Sequence, residues 1–404
     1  MKNYLILSAA ALLALAACTK QVPDAKLEQR EISFQVANYV QTKADNGAET
    51  NQTTTAAKPG EFTNADFGAY CWRTPEAGAR EAVEYFSNER VAKVGGAWRT
   101  TRNTFYWPKT GALDFICYSP YNEGTPSVTN KTIEWTNYTV RDKNQKDLMY
   151  ADKAVAQTGN TNTYYYNGVP TLFHHALAKV SFRVKANFLS WTRKEQKDEQ
   201  GNVTVGAGTT TWEVTLKSAK ISGIKTTGDL NLTAEADGKW PLPEVGDAKA
   251  HVWANPSGTM EIDLLPAKEA SANTQTAAET GLVLTDKPQD LLDGESFFVL
   301  PQILEASKEN APAQTLTISF HITTHLASGG DPIEEDFEQT FDLKDISSIA
   351  AWQMNQNIIY EIRIKPTATD PDDPHTEDPE DVEVTFDPAV VDWETVTTDA
   401  NILI

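Results

Sequence analysis

The sequence predicts an all-β protein with two tandem β-sandwich domains of mostly antiparallel strands and a short extended C-terminal segment. Three observations support this prediction. Short segments alternate apolar and polar residues and are rich in β-branched and aromatic side chains, as strands with one buried face are. Clusters of Gly, Pro, Asn, Asp and Thr separate them, which is typical of sandwiches rather than βαβ units. The 404 residues are enough for about two domains of roughly 150 residues each.

The alternation identifies the individual strands. In residues 176–186, Phe182 and Val184 share one face while Arg183 and Lys185 share the other, which is the period of two expected for a strand. Helical signals are confined to residues 81–89 and a turn at 345–351. The candidate strands, in chain order, are residues 31–40, 65–72, 102–108, 113–120, 131–140, 176–186, 209–224, 258–266, 296–302, 314–324, 334–343, 356–366 and 382–388.

Composition excludes several classes of protein. The chain has 35 Lys+Arg against 56 Asp+Glu and a net charge of −21, and this excess of acidic residues argues against a nucleic-acid partner, which requires a basic stripe. A hydrophobic content of 40% supports packed cores rather than disorder. Three cysteines cannot form a disulfide framework. No run after residue 17 approaches the roughly 20 apolar residues of a membrane-spanning helix.

Residues 1–17 are predicted to be a lipoprotein signal peptide. Lys2 precedes an apolar run over residues 5–17 that is too short to span a bilayer, and small residues come just before Cys18. The tetrapeptide LAAC at 15–18 resembles a bacterial lipobox, which implies cleavage before Cys18 and a diacylglycerol on its thiol. We therefore expect a lipid anchor in the outer membrane. The alternative is an ordinary secretory signal in which Cys18 is incidental.

The other two cysteines lie in β-like segments, AYCWR around Cys71 and FICYSP around Cys117. An oxidising compartment permits a disulfide between them, but two buried free thiols fit the sequence equally well, because spacing alone does not bring two Cα atoms within bonding distance. Neither cysteine is assigned a catalytic role.

Two polar stretches separate the strand-rich regions. Residues 42–60 lack aromatic side chains and are predicted to form an exposed connection. Residues 366–381 are acidic and rich in proline, which favours a stiffened linker. Residues 382–404 then regain strand character. They either complete their own domain as its last strand or pair with something else.

Ordered blocks of this sequence resemble the fimbrillins of Bacteroidetes, the subunits of lipoprotein-derived type V pili. Each block is weak alone, whereas their order and spacing are specific. The blocks are EISFQV and TKA within 31–44, TFYWPKTGALDFICYSPY at 104–121, DLMYA at 147–151, TLFHHALAKVSFRV at 171–184, ISGIKTTGDLNL at 221–232, FFVLPQ at 297–302, WQMNQNIIYEIRI at 352–364 and VTFDPAVVDWE at 384–394.

This resemblance implies polymerisation by strand exchange. A lipidated precursor is cut after a basic residue by an arginine- or lysine-directed surface protease, loses its first strand, and accepts a strand from another pilus subunit. In this sequence the removable strand would be 31–40, with Ile32, Phe34 and Val36 on one face. The cut would fall between Lys43 and Ala44, unless Lys43 is simply a solvated loop residue.

The resemblance also implies a donor segment at 382–404. Its apolar side chains would fill the groove of the next subunit; they are Val384, Phe386, Val391, Trp393, Val396, Ile402 and Ile404. Alternatively, 384–394 completes the second domain and only 395–404 is exchanged. The implied division of the chain is a signal peptide at 1–17, a propeptide at 18–43, sandwich domains at 44–170 and 171–366, and the linker with its donor strand at 367–404.

No motif predicts an enzyme, a cofactor or a metal site. His174 and His175 are adjacent, so in a strand they point to opposite faces and cannot share a metal ion. The acidic stretch at 366–381 lacks the glycine and ligand spacing of an EF-hand loop. We found no nucleophile elbow or phosphate-binding loop.

A competing hypothesis is a surface-anchored, monomeric lipoprotein that binds glycans. In that case Trp212, Trp240 and Trp253 are the candidate stacking platforms, although filling of β cores explains most of the aromatic residues equally well. Within the pilus hypothesis, the sequence leaves the stalk, tip and anchor roles open.

Overall fold

The computed structural model describes residues 30–38, 62–75, 82–141, 144–158, 168–240, 252–265, 281–292, 296–307, 313–346, 349–366 and 383–391. The predicted all-β class is confirmed, since these ranges contain strands and no α-helix. The strands form several sheets in which antiparallel pairs predominate.

The strands are numbered here in chain order. The first ten are β1 Phe34–Asn38, β2 Asp66–Thr74, β3 Val83–Val94, β4 Ala97–Thr100, β5 Ala112–Ser119, β6 Ser127–Val128, β7 Thr132–Thr139, β8 Met149–Ala151, β9 Ala154–Gln157 and β10 Val169–His175. The next nine are β11 Ala178–Ala186, β12 Ser190–Arg193, β13 Gln196–Lys197, β14 Val203–Val205, β15 Gly208–Ile224, β16 Thr227–Thr233, β17 Ala254–Ser257, β18 Met260–Asp263 and β19 Leu282–Val283. The last eight are β20 Gln289–Asp290, β21 Phe297–Val299, β22 Gln302–Ile303, β23 Thr315–His325, β24 Ile333–Asp342, β25 Ala351–Trp352, β26 Asn357–Lys365 and β27 Glu383–Val391.

The first sheet closes on itself. Its order is β2-β3-β4-β1-β10-β8-β5-β9, and β2 also pairs with β5. Strand β1 lies between β4 and β10. It runs parallel to β10 from the pair Phe34 and Val169 onward, and antiparallel to β4 where Phe34 faces Trp98. The first described strand is therefore an internal member of this sheet and not an edge.

Alternate side chains of these strands form an interior that we call the N-terminal core. Its fully or largely buried members are Ile32, Phe34, Phe67, Ala69, Cys71, Phe86, Val91, Trp107, Leu113, Phe115, Cys117, Met149, Ala151, Ala154, Val169 and Phe173. Both cysteines are free. Burial raises the pKa of both thiols far above the usual value, so they are neutral at physiological pH.

A sandwich forms the second part of the chain. One sheet has the order β20-β11-β26-β27, with β21 also on β11, and the other has the order β12-β15-β23-β24, with β18 and β19 on β15. Burial alternates along β11 and β23, as expected when one face of each sheet meets the other sheet. Residues of both sheets form the C-terminal core, which includes Phe182, Val214, Leu216, Phe320, Trp352, Tyr360 and Ile362.

A central layer joins these two parts. Strand β7 pairs with β16 in a sheet of order β17-β16-β7-β6, although the two strands lie on opposite sides of the predicted boundary at 170/171. That boundary also falls inside β10, which belongs to the first sheet. A cluster of aromatic and aliphatic residues fills this layer, including Tyr70, Trp72, Tyr118, Trp135, Tyr138, Tyr150, Trp240 and Trp253.

The predicted helix at 81–89 is wrong. These residues contribute to β3, which pairs with β2 over most of its length and with β4 at its C-terminal end. Glu84 and Glu89 are acceptable in a helix, but burial of Phe86 and Val91 in the N-terminal core outweighs a local preference of a few tenths of a kcal/mol per residue.

Candidate strand-exchange site

Residues 30–38 occupy a slot in the first sheet, bounded on one side by 97–107 and on the other by 168–173. We call it the β1 slot. Backbone hydrogen bonds hold its occupant on both sides. Ile32 N–H donates to Phe105 O at 2.8 Å, Trp107 N–H donates to Arg30 O at 3.0 Å, and Val169 N–H donates to Ser33 O at 2.7 Å. Removal of this segment would leave backbone groups on both walls without these partners.

The structure places all three candidate residues of the removable strand on the face that meets the N-terminal core. Ile32 is 1% exposed and Phe34 is 3% exposed, while Val36 is half-buried against the same core. The Phe34 ring meets the rings of Phe67 and Phe115 edge-on, with centroids 5.3 and 5.8 Å apart. Burial of each large apolar side chain contributes about 1.5–3 kcal/mol, so the segment in the slot stabilises the N-terminal core.

Gly168 lets the occupant approach the wall closely. A Cβ atom at this position would lie 2.7–2.8 Å from backbone atoms of Phe34 and Ser33, and the φ of Gly168 is +111°. Sequence reasoning missed this residue. Its only signal was a glycine just before a strand, which can mark a close backbone approach.

We expect Gly168→Ala to weaken the fold more than a matched glycine substitution. The new methyl group must displace the strand backbone, at a cost of about 1–3 kcal/mol, in addition to about 1 kcal/mol or more of backbone strain at positive φ. Gly330 has the same φ of +111° with nothing within 4 Å of a built Cβ, so Gly330→Ala reports strain alone. Denaturant unfolding of both variants measures the difference. Equal losses would show that Gly168 does not control the approach of β1.

Phe173 lies beside both Asn38, the last residue of β1, and Phe62, which precedes β2. Asn38 pairs with Phe173 on β10, and the Phe62 ring stacks on the Phe173 ring at 4.7 Å. A cut within 39–61 would therefore separate β1 from a sheet whose other strands all follow in one continuous chain. The predicted cleavage residues Lys43 and Ala44 lie outside the described residues, as does Cys18.

The C-terminal candidates divide into two groups. Strand β27 pairs antiparallel with β26 of the same chain from Glu383 to Val391. Val384 and Phe386 pack half-buried against the C-terminal core, and the Phe386 ring lies edge-on to Phe341 at 4.9 Å. This is the self-pairing alternative considered above. The remaining candidates lie outside the described residues; they are Trp393, Val396, Ile402 and Ile404.

The adjacent histidines have separate carboxylate partners. His174 Nε2 lies 2.9 Å from Asp152 Oδ1, and His175 Nδ1 lies 2.9 Å from Asp147 Oδ2. Across the described ranges, no cluster of three or more His, Cys, Asp or Glu side chains could hold a metal ion. The same ranges contain no helix of the length and hydropathy needed to cross a membrane.

The three tryptophans proposed as glycan platforms are buried, so the structure corrects that assignment. Trp212 packs in the C-terminal core, and Trp240 and Trp253 pack in the central layer. The indole N–H of Trp240 donates to Ala151 O, and that of Trp253 donates to Ala176 O, both at 2.8 Å. None of the three presents an open ring face for a sugar, because each ring fills a protein interior.

Comparison with known proteins gives a family match. The sequence model of a family described as fimbrillin-like matches residues 42–393, whereas no curated protein matches the chain. Solved structures that match the chain include a candidate cell adhesion protein from Bacteroides uniformis, with 16% identity, 89% of this chain and 98% of that chain covered, and a TM-score of 0.41. A C-terminally truncated form of the tip fimbrial protein Mfa3 of Porphyromonas gingivalis has 12% identity, and the match covers 82% of this chain and 94% of that truncated chain with a TM-score of 0.32. The fimbrial anchor protein Mfa2 of the same organism has 13% identity, coverages of 89% and 99%, and a TM-score of 0.27.

Proposed function

The chain belongs to the fimbrillin-like family, and from this premise we propose that it is a pilus subunit that polymerises by strand exchange. In this process β1 is removed, and a segment of another subunit takes its place in the sheet. Family membership makes it a structural fimbrial or adhesion protein rather than an enzyme. We further propose that the precursor is lipidated and anchored through Cys18 in the outer membrane. A surface protease then cuts it between Lys43 and Ala44, and the cut chain pairs with other subunits.

The observation that carries this proposal is the geometry of the β1 slot. Its occupant is hydrogen-bonded on both sides and buries Ile32 and Phe34. A vacated slot exposes unpaired N–H and C=O groups together with an apolar groove, and an incoming extended segment satisfies both. Side chains at every second position of the incoming strand would fill the sites of Ile32, Phe34 and Val36.

We propose that the donated segment is the part of the chain beyond β27. Residues 383–391 already pair with β26, so their donation would cost the C-terminal core the packing of Val384 and Phe386. Donation of residues 395–404 does not require β27 to leave β26, and Val396, Ile402 and Ile404 would share one face of an extended strand.

N-terminal sequencing with intact mass of the protein from the native cell surface tests the proposal. A chain that begins at Ala44 without lipid is the expected result for a stalk or tip subunit. A chain that still begins at a diacylated Cys18 would contradict cleavage and leave an anchor role.

The two buried thiols report on the slot independently. We expect Cys71 and Cys117 to be unreactive toward a thiol reagent in the uncut chain, because both lie in the N-terminal core. Removal of residues 1–43 takes Ile32 and Phe34 out of that core. We expect labelling to accelerate by about tenfold or more, which requires the loss of only about 1.4 kcal/mol of protection. Labelling rates followed by mass spectrometry measure this, and unchanged rates after verified removal would contradict an opened groove.

A further inference from the structure

A run of basic side chains borders the β1 slot. From residue 90 to residue 113 the chain contains five basic residues and no acidic one, although the whole protein has a net charge of −21. All five are exposed. We call them the basic border; they are Arg90, Lys93, Arg99, Arg102 and Lys109.

Part of the basic border lies along one wall of the slot. Trp98 faces Phe34 across the β4–β1 pair, and Lys93 faces Trp98 across the β3–β4 pair. Further along, Phe105 O accepts the hydrogen bond from Ile32 N–H. A strand that enters the slot therefore lies next to β4, which carries Arg99, and Lys93 lies one strand further away on β3.

One member of the basic border is paired with the segment that would be lost. Arg99 Nη1 lies 2.8 Å from Glu31 Oε2, and Glu31 belongs to the segment that the predicted cut at Lys43 would release. By contrast, Arg90 pairs with Asp66, which stays in the sheet. Departure of Glu31 leaves the Arg99 guanidinium beside an empty slot without this carboxylate.

The segment with the opposite charge is at the other end of the chain. Residues 367–404 contain twelve Asp and Glu residues and no Lys or Arg. We propose that the basic border of one subunit recruits the acidic segment 367–404 of a second copy, and that Arg99 takes a carboxylate of that segment in place of Glu31. This inference rests on the proposed strand exchange and adds an electrostatic step to it. Such attraction chiefly raises association rates and is screened by salt.

Peptide association with the opened subunit tests this step. A site for a sequence-specific protease is placed within 48–55, the chain is cut, and the N-terminal fragment is removed. Fluorescent peptides of residues 367–404 and 395–404 are then mixed with this protein at low and high salt. We expect the long peptide to associate about tenfold or more faster at low salt, and the short peptide to show little dependence on salt.

Matched arginine variants identify the residue. We expect Arg99→Gln to slow association of the long peptide at low salt by about two- to fivefold, as for loss of one exposed ion pair. Arg183 on β11 provides the control, because its side chain is also 44% exposed and pairs with Asp290 at 2.6 Å. Arg183→Gln should leave the rate unchanged.

The outcomes separate the two proposals. Salt-independent binding of the long peptide, or an Arg99→Gln rate equal to that of the unsubstituted protein, overturns recruitment while strand exchange stands. Binding by neither peptide overturns both recruitment and the donor assignment. A further control is the long peptide with every Asp replaced by Asn and every Glu by Gln. If it associates at low salt as fast as the unsubstituted long peptide, recruitment is also overturned.

Discussion

Deletion of residues 395–404 is expected to abolish polymerisation and to leave the monomer folded. Strand β27 ends at Val391, and its pairing with β26 does not use the deleted residues. The deletion removes Val396, Ile402 and Ile404, which the proposal places in the slot of the next subunit. Loss of three buried apolar side chains, each worth about 1.5–3 kcal/mol, is enough to prevent a long-lived joint. Native gels and electron microscopy of the cut protein measure assembly, and denaturant unfolding checks the fold.

A second variant guards against a nonspecific effect of truncation. Replacement of Ile402 and Ile404 by Asp keeps the length of the chain but places charges in an apolar groove, which is costly. We expect it to assemble as poorly as the deletion. Polymers that form normally from either variant would exclude 395–404 as the donor segment. Residues 383–391 would then be the remaining candidate donor.

The second large effect is expected from Phe34→Ala in the uncut chain. Phe34 is 3% exposed and makes edge-on contacts with two rings, so the substitution leaves a cavity in the N-terminal core. The expected loss is about 3–5 kcal/mol in the free energy of unfolding. Phe188→Ala is the matched control, because Phe188 is 46% exposed and its removal should cost much less.

Cleavage provides a second test of the Phe34→Ala chain, because Phe34 lies in the segment that is removed. Once residues 1–43 have been removed, the Phe34→Ala chain and the unsubstituted chain are identical. Their thiol labelling and their assembly should then coincide. A small loss of stability in the uncut Phe34→Ala chain would show that the slot does not depend on its occupant.

The number of tryptophans in a sequence does not show whether each ring lies in a core or on a binding surface. Trp240 and Trp253 were suitable as sugar platforms because a tryptophan ring serves a core and a binding face equally well. Both rings are buried in the central layer, which includes the sheet formed by β7 and β16 together with residues of distant strands. No local pattern at 132–139 or 227–233 indicates that these two segments pair.

Sequence alone determined the local properties of this protein. Alternation at Ile32, Phe34 and Val36, and at Phe182 and Val184, assigns inward faces because the two-residue period of a strand is a property of its own backbone. The all-β class follows from the repetition of that pattern. Order and composition of the blocks indicated the family.

Only the tertiary structure decided which strands meet. The parallel pairing of β1 with β10, the return of β27 to β26 and the burial of β3 depend on contacts between residues far apart in the chain. Many registers satisfy the same alternation, and the energy that distinguishes them comes from packing against distant partners. Gly168 and Arg99 belong to the site because of such distant contacts. Gly168 lies against the backbone of Ser33 and Phe34, and Arg99 pairs with Glu31.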